Sequence, residues 1–424
     1  MVFLALQIIL VLTACFLLAY TARHCVFTVA ALYSLKKRKS NPTFSYQPTV
    51  SILIPALNEE NVLPRLLHAV TRLDYPKDKL EVVVIDDGST DGTGTIADEF
   101  AAEYGYVKVV HRSPREGRKG KASALNAGLK ASSGEFVFCF DADYYPPKDI
   151  LHKLVEPFSN PRIGAVQGRV TVLNEPKNLV TRIVALERIG GYRVDQYARE
   201  KLGLIPQFGG TVGGFRRKVL EALGGWDEEM LAEDTELTFR LYLEGYKIRY
   251  VDDAECYEEA VETWGAYWRQ RYRWAYGHMQ TAFRYLGKLL KSDKLAAKEK
   301  VDGFLLLCVY FVPIIVLASW LLSGFLYFSS FEGVVGVSFA IIAISVYSAV
   351  GNFAPFFEVG IGAYLDKRTR AYWLVPMFLF TFLYNILICT KAFADLLLTK
   401  IFRKRRVNWA KTTHSGNGNS YIQN

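Results

Sequence analysis

Long apolar runs sit at both ends of this chain, and they dictate how the rest can fold. Val2–Tyr20 is nearly uninterrupted and continues past Arg23-His24 to Tyr33, while Gly303–Phe328, Val334–Phe353 and Tyr372–Leu398 follow a polar middle. A hydrocarbon core about 30 Å thick is crossed by roughly 20 apolar residues of helix, so each run is long enough to span. With no water there for backbone N–H and C=O groups, such segments must be helical. The polar stretch between them is then a body held at the membrane from both sides. A cleavable leader would show a basic start and a small-residue cleavage site; neither is clear, so a retained anchor over residues 1–34 is expected.

Charge sets the expected orientation. Lys36-Lys37-Arg38-Lys39 follows the first run and places it cytoplasmic, with the N-terminus outward. At the other end the rule meets a conflict: three spans would leave Arg403-Lys404-Arg405-Arg406 outside, unless Asn352–Leu365 is interfacial or re-entrant. The net charge of +9 comes largely from these two clusters, which read as topology and anionic-lipid signals, so nucleic acid is not an expected partner. At 424 residues with 22% charged, the chain suits one soluble body plus a few spans better than a pure transporter. Its six cysteines are scattered without a C-x-x-C, which fits small buried hydrophobes in a reduced compartment rather than disulfides or zinc.

Within the body, Val50–Pro55, Glu81–Ile85 and Glu135–Phe140 read as buried strands rich in β-branched and aromatic residues. Helical patterns, Glu59–Leu73 and Thr93–Tyr104, alternate with them. That order predicts an α/β fold with a doubly wound, mostly parallel sheet, whose ligands bind beyond the carboxyl ends of the strands. The expected domains are an anchor (1–34), a soluble α/β body (48–262), amphipathic interfacial helices (263–302), a membrane bundle (303–400) and a basic tail (401–424). Polar and aromatic residues within the last spans, among them Tyr310, Trp320, Tyr347, Asn352, Tyr384 and Asn385, suit either a polar path through the spans or ordinary helix packing.

Carboxylates cluster at the strand ends. Asp86-Asp87-Gly88-Ser89-Thr90-Asp91 follows the second strand, where Asp86 and Asp87 can accept from a uracil imide and ribose hydroxyls; Asp91 can equally cap the next helix. Asp141-Ala142-Asp143 follows the third, and carboxylate oxygens there suit Mg²⁺ or Mn²⁺ bridging to a departing diphosphate. Phe208–Arg217 packs four glycines into what reads as a short loop before a helix expected near Lys218. Glu233-Asp234 opens another helix; acids there favour its dipole, and Asp234 is also placed to take the proton of an attacking hydroxyl. Gln270, Arg273 and Trp274 form a Q-x-x-R-W whose members share one helix face.

This ordered set resembles membrane-embedded glycosyltransferases of family 2, the group of cellulose, chitin, hyaluronan and poly-N-acetylglucosamine synthases. The resemblance covers Val50–Gly277 and implies a GT-A-like catalytic domain. It implies donor contacts from Pro55, Glu59, Asp86, Asp87, Lys121, Asp141, Gln270 and Arg273, and a metal on Asp143 and Asp141. It further implies acceptor contacts from Gly213, Gly214, Phe215, Glu233 and Trp274, with Asp234, Asp143 and Arg273 catalytic. Trp409-x-Lys411-Thr412 resembles a closing motif of the poly-N-acetylglucosamine type. The implied activity is inverting transfer of GlcNAc or Glc from a UDP-sugar to a growing β-linked polysaccharide at the plasma membrane, in a multi-pass protein whose catalytic domain is cytoplasmic. An accessory membrane or export subunit is compatible with it. The alternative is transfer of one sugar to a lipid.

Overall fold

The computed structural model describes residues 2–33, 46–328, 353–402 and 416. The expected span Val334–Phe353 (except for Phe353), the Lys36–Lys39 and Arg403–Arg406 clusters, Tyr347, Asn352 and the Trp409–Thr412 motif lie outside the described residues.

The body is built on seven strands in the order β3-β2-β1-β4-β6-β5-β7. They are β1 (Val50–Ala56), β2 (Leu80–Asp86), β3 (Val107–His111), β4 (Phe136–Cys139), β5 (Ile163–Val172), β6 (Gly213–Arg216) and β7 (Lys247–Glu258). The first four run parallel; β6 enters antiparallel between β4 and β5, and β7 pairs parallel with β5. The sheet is therefore mixed, since the glycine-rich segment expected to be a loop supplies a strand.

Both faces are covered, which explains why the strand sequences are apolar throughout. Ile52, Ile54, Val82, Val84, Phe136 and Phe138 enter one core, beneath α2 (Leu63–Thr71), α3 (Thr93–Glu103) and α5 (Ile150–Val155). Their alternates Leu53, Val83, Ile85, Val137 and Cys139 enter the other, with α4 (Lys121–Ala131), α8 (Arg217–Ala222), α9 (Glu233–Leu243) and α10 (Trp264–Lys291). Two long helices bracket this body in sequence: α1 (Val2–Tyr33) and α14 (Met377–Phe402). Between β5 and β6, α6 (Leu179–Arg188) passes into a π-helix, Ile189–Gln196, and then α7 (Tyr197–Leu202).

After α10 come α11 (Ala297–Cys308), α12 (Val312–Phe328) and α13 (Phe353–Leu365). Among the described residues three helical stretches are apolar and long enough to cross a membrane, Val11–Tyr33, Ala297–Gly324 and Met377–Phe402, and the protein is membrane-associated. The described residues of α13 pack on α1 and the π-helix. Polar ties hold α1 to three neighbours: the Tyr20 hydroxyl donates to the Leu305 carbonyl of α11, Arg23 pairs with Asp195 of the π-helix, and His24 with Glu358 of α13.

Candidate active site

Because β2, β1 and β4 are neighbours, their carboxyl ends bring Pro55, Glu59, Asp87, Asp141 and Asp143 to one edge of the sheet, where all five line a cavity of about 650 Å³. Lys121 begins α4 and reaches across. Its Nζ donates to the Gly210 carbonyl at 3.0 Å and pairs with Asp141. Burial alone would lower this ammonium, but Asp141 and Glu233 beside it hold its pKa above the ordinary value. Asp87 accepts from the Arg118 amide at 2.8 Å and pairs with Arg112. Asp86 is set back from the wall: Oδ1 accepts from the Ser89 amide at 3.0 Å and Oδ2 faces His111 Nδ1 at 3.1 Å. The fold thus brings Asp87 to the cavity and uses Asp86 to brace the turn.

Asp143 is 7% exposed, and its Oδ2 accepts from the Glu259 amide at 3.3 Å. Among the described residues no group of three or more His, Cys, Asp or Glu side chains gathers tightly enough to hold a metal. Two carboxylates fit a hard cation whose remaining positions are filled by ligand oxygens, such as those of a diphosphate, and do not resemble a thiolate or imidazole site.

Helices supply the opposite wall. Glu233 and Asp234 occupy the first turn of α9, while Gln270, Arg273, Trp274 and His278 share one face of α10; all line the same cavity. Asp234 Oδ1 accepts from the Thr235 amide at 2.6 Å. Its Oδ2 points toward Gly210, where an added Cβ would lie 3.1 Å away. Gly210 has φ +86°, so a side chain there would both strain the backbone and fill the space before that oxygen. Burial raises the Asp234 carboxyl, offset in part by the Thr235 amide and Lys121. Burial and neighbouring Asp234 push Glu233 up to about 7, against the pull of Lys121 and Arg273.

Trp274 is flanked by guanidiniums, Arg271 at 4.1 Å and Arg188 at 5.1 Å from its ring centroid. Arg271 pairs with Glu187 and donates to Gln270 Oε1 at 3.0 Å. Arg188 grips Glu258, which also accepts from the Tyr144 hydroxyl at 2.7 Å. The ring is held as a fixed aromatic surface.

Gly213, Gly214 and Phe215 are a correction. They form β6 inside the sheet: a Cβ at Gly213 would lie 2.3 Å from the Val166 carbonyl, and one at Gly214 2.7 Å from that of Val137. Phe215 is fully buried against Phe208 and Trp226. The stretch that does face the cavity is Gly209–Thr211, just ahead of them. From the spans, Tyr310 and Asn385 reach the cavity, whereas Tyr384 stacks among Trp264, Trp268 and Phe380 and Trp320 packs between helices.

Sequence reasoning missed Arg188, Tyr192, Gln207, Arg271 and His278, all on the wall. Arg271 and His278 had a usable signal, lying within and one turn past the Q-x-x-R-W. Arg188 and Tyr192 flank the start of a π-helix, a form frequent at functional sites but without a local sequence mark.

Residues 48–277 match the family described as "Glycosyltransferase like family 2". The chain is 43% identical over 245 residues to the probable glycosyltransferase YdaM of Bacillus subtilis (strain 168), covering 58% of each chain. It is 31% identical over 384 residues to a β-monoglucosyldiacylglycerol synthase of Trichormus variabilis, covering 88% of this chain and 77% of that one. It is 32% identical over 248 residues to a poly-β-1,6-N-acetyl-D-glucosamine synthase of Staphylococcus epidermidis, covering 58% of each. The matches to YdaM and to the poly-N-acetylglucosamine synthase thus span little more than half the length of those relatives. Among solved structures, a mannosyltransferase from Pyrobaculum calidifontis in complex with GDP-Man and Mn²⁺ shares the fold, with TM-score 0.56 and 23% identity over 93% of this chain and 100% of that one.

Proposed function

The chain belongs to glycosyltransferase-like family 2, and on that premise we propose that it transfers a sugar, with inversion, from a UDP-sugar to a hydroxyl of a growing β-linked polysaccharide. One observation carries the reading: the strand-end carboxylates, the Glu233-Asp234 pair and the Gln270, Arg273, Trp274 face, far apart in sequence, line a single cavity. Pro55, Glu59 and Asp87 take the nucleoside end of the donor, with Asp86 bracing Asp87's turn from behind. Lys121, Gln270 and Arg273 take the diphosphate.

Asp234 Oδ2 accepts the acceptor hydroxyl's proton as that oxygen bonds to the anomeric carbon. The bond from that carbon to the β-phosphate oxygen breaks, and its electron pair leaves with UDP. A carboxylate raised by burial is a stronger base for this step than an exposed one. A single displacement inverts the centre, so no carboxylate nucleophile is required. Asp141 and Asp143 would hold Mg²⁺ or Mn²⁺, whose charge would offset that of the departing diphosphate. Glu233 and the flanked face of Trp274 position the acceptor sugar.

Tyr310, Asn385 and Trp274 on the wall, together with the likeness to a poly-β-1,6-N-acetyl-D-glucosamine synthase, support the polymer acceptor. A second reading, one sugar added to a lipid, is favoured by the apolar wall that Leu305, Val309, Pro313 and Phe382 bring from the spans, and by the longer match to a β-monoglucosyldiacylglycerol synthase. In either case the catalytic body is cytoplasmic, where nucleotide sugars are found, in a multi-pass protein of the plasma membrane. The test is purified protein in detergent with Mg²⁺ or Mn²⁺ and radiolabelled UDP-glucose, UDP-N-acetylglucosamine and GDP-mannose. Label in high-molecular-weight material establishes the polymer; label extracted into organic solvent as a one-sugar lipid establishes the alternative.

A further inference from the structure

His278 lies one turn beyond Trp274 on the cavity face of α10, its ring 4.7 Å from that of Tyr310. Its Nε2 is 3.1 Å from Thr235 Oγ1, while its Nδ1 is buried and, among the described residues, has no hydrogen-bond partner. Thr235 Oγ1 also receives the Gln207 amide at 2.6 Å and sits 3.3 Å from Asp234 Oδ1. Gln207 is in turn fixed by the π-helix, its backbone amide donating to Gln196 Oε1 at 2.9 Å. Three parts of the chain, α9, α10 and the segment bearing Gln207, thus converge on one hydroxyl beside the proposed base.

That hydroxyl has one proton and two lone pairs. The Gln207 amide fills one lone pair. If Thr235 gave its proton to His278, the imidazole proton would sit on Nδ1 as an unpaired buried N–H, a state folded proteins avoid more strictly than an unpaired acceptor. With the proton on Nε2, His278 fills the second lone pair and the threonine proton turns to Asp234 Oδ1. Oδ1 then accepts from both the Thr235 amide and the Thr235 hydroxyl, while Oδ2 keeps its lone pairs for the space beside Gly210.

We propose that His278 is a positioning residue for the base: held as the Nε2–H tautomer, it orients the Thr235 hydroxyl onto Asp234 Oδ1 and so leaves Oδ2 as the proton-accepting atom. This rests on the reading of Asp234 as base. Burial holds the imidazole down to about 4, so it stays neutral across the working range and acts as a fixed donor rather than a proton carrier.

The test uses the full-length protein with whichever of UDP-glucose or UDP-N-acetylglucosamine gives turnover. His278→Phe keeps the ring beside Tyr310 and removes the donor; His278→Gln restores an N–H at similar reach; Thr235→Val removes the relay itself. The expected result is a fall in kcat of about tenfold or more for His278→Phe and Thr235→Val, with the donor KM within about twofold and His278→Gln within about threefold of wild type. The double variant should lose no more than the worse single one, because the two share one relay. Equal losses in His278→Phe and His278→Gln, or a kcat near wild type in His278→Phe, overturn the proposal. Should His278→Phe fail to fold, Thr235→Val decides by the same split. Asp234→Asn runs alongside: if it is inactive while the relay variants are unchanged, only the relay falls, and if it turns over, the base assignment falls.

Discussion

The two walls of the cavity hold the same chemical group in different surroundings. On the wall proposed for the donor the carboxylates have close partners, with Asp87 against Arg112 and the Arg118 amide, and Asp141 against Lys121. On the wall proposed for the acceptor Glu233 and Asp234 stand side by side at a helix start, among the charges of Lys121 and Arg273, and burial lifts both, as it also lifts Asp87. The groups tied to cations are suited to holding a ligand. The crowded pair is suited to taking a proton. On the proposed assignment, position in the fold, more than residue type, separates binding from reaction.

The sharpest test of that division is Asp234→Asn. It should lower turnover by at least about 10³-fold while nucleotide affinity, measured by UDP titration, stays within a few-fold; a large loss of UDP affinity would remove Asp234 from the reacting side. Asp143→Asn should do the reverse, weakening Mn²⁺-dependent donor binding on the order of 10²-fold, read by calorimetry with and without the cation. Arg112→Met strips Asp87 of its cation and should raise the donor KM about tenfold with kcat little changed.

The smallest effects are those of pH. Because the Asp234 carboxyl lies above its ordinary value, its base form is lost as pH falls through that raised value, so the acid limb of kcat should lie above about pH 4. Glu233, near 7 when folded and about 4.3 when unfolded, keeps its proton in the folded state between those values. Stability from it is present at low pH and fades as pH rises through 7. Glu233→Gln should therefore raise Tm relative to wild type more at pH 8.5 than at pH 5.5, by a few degrees. Equal shifts at both would mean that Glu233 titrates like an ordinary solvated carboxylate.

Much of this was legible in advance for local reasons. The strands expected at Val50–Pro55 and Glu81–Ile85 fall within one residue of β1 and β2, since continuous β-branched runs suit a sheet covered on both faces. Strand ends in a parallel sheet share an edge, so Asp87, Asp141 and Asp143 could be grouped without coordinates. The glycine segment misled because a glycine run reads as loop. Gly213 and Gly214 are instead required by carbonyls of strands distant in sequence, Val166 and Val137.

Sequence by itself determined the family, the membrane association, the strand-end carboxylates and the helix face bearing Gln270, Arg273 and Trp274, because each depends on local periodicity or on spacing within one element. Only the tertiary structure decided that Asp86 stands behind Asp87, that Arg188 and Arg271 flank Trp274, and that Gln207, Thr235 and His278 meet beside Asp234. Those contacts join residues as far apart in sequence as Arg188 and Trp274 through helix packing and a π-turn, and burial, which raises the Glu233 and Asp234 carboxyls, exists only once the helices have closed over the cavity.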